Sequence, residues 1–180
     1  GLRAGKTEAR ESEPVCPVPE AHIEAARAKL PPTLRAMVDL QLATGARPGE
    51  ILELRPCDLD RSGDVWTATV VRHKNAHRGK GRVLYLGPKA QAIVRPFLLN
   101  RGPADYLFSP REAIQQRKAE CETHRRPNQP ESPRMTDRTI GDRYDTSTYR
   151  RAIARACKAV NVERAKHGLP AIPVWHPHQL

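Results

Sequence analysis

Leu34, Met37, Val38 and Leu42 recur at three- and four-residue steps, the spacing of one face of an α-helix. The pattern predicts a helix opened by Pro31-Pro32 and closed by Gly45 in a left-handed conformation. Before it, Pro19 to Leu30 is rich in Ala and charged residues and predicts another helix. After it, a short helix opens at Pro48, carries Ile51, Leu52 and Leu54, and stops before Pro56, with helix two as its partner face. The period then changes. Val65, Trp66, Thr67, Thr69, Val70 and Val71 are β-formers that follow the turn Asp60-Arg61-Ser62-Gly63-Asp64, and Val83-Leu84-Tyr85-Leu86 is a second run ended by Gly87-Pro88. The two runs predict an antiparallel hairpin. Further helices are expected at about 88–100, 110–122 and 146–160, with a long polar loop or insertion over 123–145.

Composition narrows the class. Of 180 residues, 31 are Lys or Arg and 20 are Asp or Glu, a net charge of +11, which suits a nucleic-acid partner. The excess peaks in residues 61–90, where Asp64 is the sole acid. A hydrophobic content of 38% provides a modest core for one domain. No run reaches the roughly 18 apolar residues of a membrane span, and no basic-then-apolar leader opens the chain, so a membrane partner is not expected. Cys16, Cys57, Cys121 and Cys157 have no zinc-site spacing and read as reduced thiols of a cytoplasmic protein. Residues 1–19 mix charges with prolines and read as a linker or arm. The chain opens on Gly1 and its last residues read as an element being entered, so a piece of a longer protein is expected.

Three segments carry candidate chemistry. Thr44-Gly45-Ala46-Arg47-Pro48-Gly49-Glu50 sets an arginine between two glycines at a helix junction, ahead of Asp58-Leu59-Asp60. A guanidinium there can give two charge-assisted hydrogen bonds to phosphate oxygens and stays charged at any working pH. The competing assignment pairs Arg47 with Glu50 or Glu53 at a helix start. The hairpin loop, from Arg72 to Arg82, holds Arg72, Lys74, His77, Arg78, Lys80 and Arg82, all suited to phosphate contact. The third is Pro177-His178-Gln179-Leu180.

In this order, the segments resemble the boxes of the tyrosine recombinases, or phage integrases: TGxRxxE, a lysine-bearing hairpin followed by an RxVPLG-like strand, and the start of PHxLRH. The resemblance covers about residues 20–180. It implies a mainly α fold with a small antiparallel β-sheet, the catalytic domain of that family broken off within its second box. It also implies double-stranded DNA as partner and self-assembly on DNA in the intact protein. Strand breakage and rejoining through a 3′-phosphotyrosyl intermediate would need neither ATP nor a metal, so no cofactor is expected. Arg47 would clamp the scissile phosphate, Lys74 or Lys80 would be the general acid, with Lys74 favoured, and His178 would assist proton transfer. The second arginine and the nucleophilic tyrosine are expected beyond Leu180. Tyr85, Tyr106, Tyr144 and Tyr149 then read as core or surface aromatics, and the 180 residues alone would be inactive.

Two other classes compete. A metal-dependent nuclease could use His73 and His77 with Asp58 or Asp60, but the flanking β-runs make 73–81 a loop without a carboxylate cluster. A non-catalytic basic DNA-binding module, or a recombinase remnant, fits the composition equally well.

Overall fold

A computed structural model describes residues 15–70, 81–120 and 140–180, except the side chains of 118–120. Helix α1 (Glu20–Arg27) is followed by α2 (Pro32–Thr44) and the single-turn α3 (Pro48–Leu52). Strands β1 (Leu59–Asp60), β2 (Trp66–Val70) and β3 (Arg82–Leu86) come next, then α4 (Pro88–Leu98), α5 (Pro110–Glu120) and α6 (Thr146–Lys166). The fold is mainly α-helical with a small antiparallel sheet, as the periodicity predicts. Among the described residues its three strands lie in the order β1-β2-β3, with Leu59 opposite Ala68 and Ala68 opposite Leu84.

The prolines and glycines act where the sequence places them. Gly45 ends α2 with φ 61°, in the left-handed region, and its N–H donates to the Gln41 carbonyl. Pro32, Pro48 and Pro88 each stand in the first turn of a helix, where a missing N–H costs nothing.

Alternate strand residues Ala68, Val70, Leu84 and Leu86 point inward and meet Met37, Val38, Ala90 and Val94 in one core. Tyr149, Ile153, Cys157 and Val160 of α6 join it with Trp175. A bidentate pair, Arg27 to Asp39 at 2.5 and 2.7 Å, ties α1 to α2.

Some boundaries differ from expectation. Helix α6 runs to Lys166, six residues beyond the predicted end, because Gly168, with φ 65°, is the first residue placed to stop it. The polar last turns are held from outside: Lys29 pairs with Glu163 at 2.5 Å, and the Asn161 side chain bonds both the N–H and carbonyl of Ile172. Helix α4 ends at Leu98, two residues early, and Asn100 leaves it with φ 56°. Leu42, expected on the apolar face of α2, is 46% exposed, while Gln41 is buried in its place. The buried face of α2 is Thr33, Leu34, Met37, Val38, Leu40 and Gln41, centred to one side of the Leu34–Val38–Leu42 row, so Leu42 falls at its exposed edge. Of the predicted loop 123–145, residues 140–145 form neither helix nor strand, and the rest lies outside the described residues.

Candidate active site

Arg47 is the residue before the first turn of α3, with extended backbone (φ −71°, ψ 151°). Its N–H donates to Glu50 Oε2 at 2.9 Å, so the glutamate three residues on closes the helix start. Its guanidinium lies 3.9 Å from Glu50 Oε1 and the side chain is half exposed. Both features of the competing assignment are therefore present, yet the guanidinium keeps an open face toward solvent.

Glu50 is 5% exposed and has a second cationic neighbour. Arg82, the first residue of β3, brings its Nε to 2.5 Å from Glu50 Oε1. The contact is ionic; neither atom has a partner aligned as a hydrogen bond. Through this carboxylate the Arg47 loop is joined to the foot of the hairpin.

Glu50, Glu53, Arg55 and Tyr106 line one pocket, in which Glu53 pairs with Arg143 at 2.7 Å and Arg55 Nη2 donates to the Tyr106 hydroxyl at 2.7 Å. Both guanidiniums lie against the Tyr106 ring, at 4.5 and 5.6 Å from its centre.

His178 is exposed on a 3₁₀ turn, Pro177–Gln179. The turn is seated on the core: the buried Gln41 side chain donates to the Pro177 carbonyl and accepts from the Tyr149 hydroxyl at 3.3 Å. A pocket of about 240 Å³ lies alongside, lined by Pro48, Thr146, Ser147, Arg150, His176, Pro177 and His178. Pro48, the residue after Arg47, and the His178 turn thus border the same pocket, while Arg47 itself is not one of its lining residues. None of its lining side chains is acidic. Burial holds the His176 imidazole below its ordinary pKa, and the charges of Arg150 and His178 act in the same direction.

Arg47, Arg82 and His178 thus lie within the described residues; Arg72, Lys74, His77, Arg78 and Lys80 lie outside them, as does His73. Among the described residues no group of three or more His, Cys, Asp and Glu side chains could hold a metal ion. Nor is any helix there long and apolar enough to cross a membrane.

Tyr144 and Tyr149 are buried, and burial raises the Tyr144 hydroxyl to about 12 and the Tyr149 hydroxyl further. Tyr85 is exposed on the outer face of the sheet.

Sequence reasoning reads Tyr149 as a core or surface aromatic, and it is buried in the core, but it assigns Gln41, Tyr149 and Gln179 no part in holding the His178 turn. A signal existed for the first of these: a glutamine at the i+7 position of an otherwise apolar stripe is a buried amide in search of partners.

The class is defined by a mainly helical domain with a small antiparallel sheet, in which the residue after Arg47 and the histidine turn border one non-acidic pocket. The chain belongs to the phage integrase family, the tyrosine recombinases: the family profile, described as "Phage integrase family", matches residues 20–180. A search of the curated proteins finds no match. Among solved structures the chain is similar to the Tn1549 transposon integrase (residues 82–397) in complex with circular intermediate DNA. The TM-score is 0.56 at 16% identity, over 94% of this chain and 52% of that one. It is also similar to the XerA recombinase, with a TM-score of 0.49 at 21% identity, over 91% of this chain and 47% of that one. The chain spans about half the length of these structures.

Proposed function

We propose that the chain is part of the catalytic domain of a site-specific tyrosine recombinase that integrates or excises DNA, with residues 1–19 a linker from a preceding DNA-binding domain. The observation that carries this reading is the family match over 20–180, supported by the nearness of Pro48, the residue after Arg47, to the His178 turn across one pocket.

In the intact enzyme a tyrosine beyond Leu180 attacks a DNA phosphodiester. Its oxygen bonds to phosphorus, the bond to the 5′ oxygen breaks, and that oxygen leaves as a hydroxyl. A 5′ hydroxyl from the partner duplex then displaces the tyrosine.

Arg47 stabilises the charge on the non-bridging oxygens, Lys74 protonates the leaving oxygen, and His178 supports proton transfer. Arg72, His77, Arg78, Lys80 and the exposed part of Arg82 contact the DNA backbone, and copies of the protein assemble on DNA in the cytoplasm.

The test uses the full-length gene product and a nicked duplex carrying its site, analysed on a denaturing gel. A covalent protein–DNA band, absent in Arg47→Ala, supports the reading. Binding of the site without any covalent band from the full-length protein would establish the alternative, a non-catalytic DNA-binding module.

A further inference from the structure

The Pro177–Gln179 turn is too short to fix itself, since three residues of 3₁₀ helix supply few bonds of their own. What orients His178 is therefore whatever grips the residues on either side of it. Ahead of the histidine the grip is Gln41 on the Pro177 carbonyl. Behind it, Gln179 uses both ends of its amide: Oε1 accepts from the His176 N–H and Nε2 donates to the Cys16 carbonyl, each at 3.0 Å. The Gln179 carbonyl also accepts from the Val18 N–H at 3.2 Å, and the Gln179 N–H donates to the His176 carbonyl at 3.0 Å.

The incoming segment is suited to this. Pro17 and Pro19 have no N–H, so Val18 is the one backbone donor of residues 17–19, and it is directed to Gln179. Gln179 does not line the pocket that His176, Pro177 and His178 border.

From these contacts we infer that Gln179 is a positioning residue for His178. It clasps residues 16–18, where the chain enters the domain, to the turn that carries the histidine. The inference rests on the reading of His178 as a proton-transfer group. Its consequence is regulatory: the path of the chain ahead of the domain is mechanically coupled to that group.

The test is amide hydrogen exchange and histidine-ring NMR on the 180-residue chain, comparing wild type, Gln179→Glu and Gln179→Ala. The glutamate is isosteric and still accepts from the His176 N–H, but it cannot donate to the Cys16 carbonyl. In Gln179→Glu the Val18 amide should therefore exchange about five- to tenfold faster, the loss expected of one hydrogen bond, while the His176 amide keeps its wild-type rate. In Gln179→Ala both amides should exchange faster and the His178 ring signals should move. A merely structural glutamine would not separate the two amides in this way.

Wild-type rates at Val18 in both variants, or unmoved His178 signals in Gln179→Ala, would overturn the clasp. If circular dichroism shows that Gln179→Ala fails to fold, Gln179→Glu decides alone. Duplex DNA is titrated separately into the wild-type chain. His178 signals that ignore it would count against the catalytic reading, while the exchange data would still judge the clasp.

Discussion

Arg82 at the foot of the hairpin lies 2.5 Å from the Glu50 carboxylate, the same carboxylate whose other oxygen accepts the Arg47 N–H. One nearly buried acid thus serves two segments that are distant in sequence. A buried carboxylate costs free energy unless it is paired, so removing its charge should loosen both segments together.

Glu50→Gln is accordingly expected to lower stability by about 1–3 kcal/mol, since it leaves the Arg82 guanidinium without its counter-charge. Urea unfolding of Glu50→Gln, Arg82→Gln and the double variant measures this directly. The double variant should lose less than the sum of the two single losses. Additive losses would mean that the contact contributes nothing.

Periodicity and punctuation made most of the fold legible. Gly45 and the helix-opening prolines bound α2, α3 and α4, and runs of β-formers between turn residues located β2 and β3, because each depends on local backbone sterics. The Arg47 and His178 segments could also be picked out, since each is a contiguous motif. The contacts that organise them could not. Glu50 to Arg82, Gln41 to Pro177 and Gln179 to Cys16 all join residues far apart in sequence, and no local period encodes such pairs. Leu42 shows the same limit on a smaller scale: its four-residue step from Val38 put it on the apolar face, but the partners packed on α2 cover Gln41 and leave Leu42 exposed.

His176 supplies a pH prediction. Burial, aided by Arg150 and His178, depresses its pKa below the ordinary value near 6.5, so the folded chain binds its proton less readily than the unfolded chain does. This group's contribution to stability is therefore present above the unfolded pKa and is lost as pH falls through the folded one. NMR titration should find His176 below the ordinary value, and Arg150→Ala should move its midpoint upward. A midpoint unmoved by Arg150→Ala would remove the arginine from the pocket's electrostatics.

The choice between the two hairpin lysines is decided by kinetics in the full-length protein. Lys74→Ala should slow single-turnover cleavage of a suicide substrate by about 10²–10⁴-fold, the usual contribution of a general acid, and leave site binding nearly intact. Lys80→Ala should change cleavage little. The opposite pattern would transfer the role to Lys80.

For the 180-residue chain the expected behaviour is weak duplex binding with little sequence preference and no covalent adduct. Arg72, Lys74, Arg78, Lys80 and Arg82 are the cations of segment 72–82. With Arg82 engaged by Glu50, about two to four phosphates can be neutralised at once, so log K against log salt should slope by roughly −2 to −4. A salt titration of binding measures the slope, and Arg78→Ala should make it shallower by about one unit. Binding that ignores salt would remove the hairpin from DNA contact. A covalent band from this chain would mean that one of its own tyrosines attacks the phosphate, and the assignment of the nucleophile beyond Leu180 would fall with it.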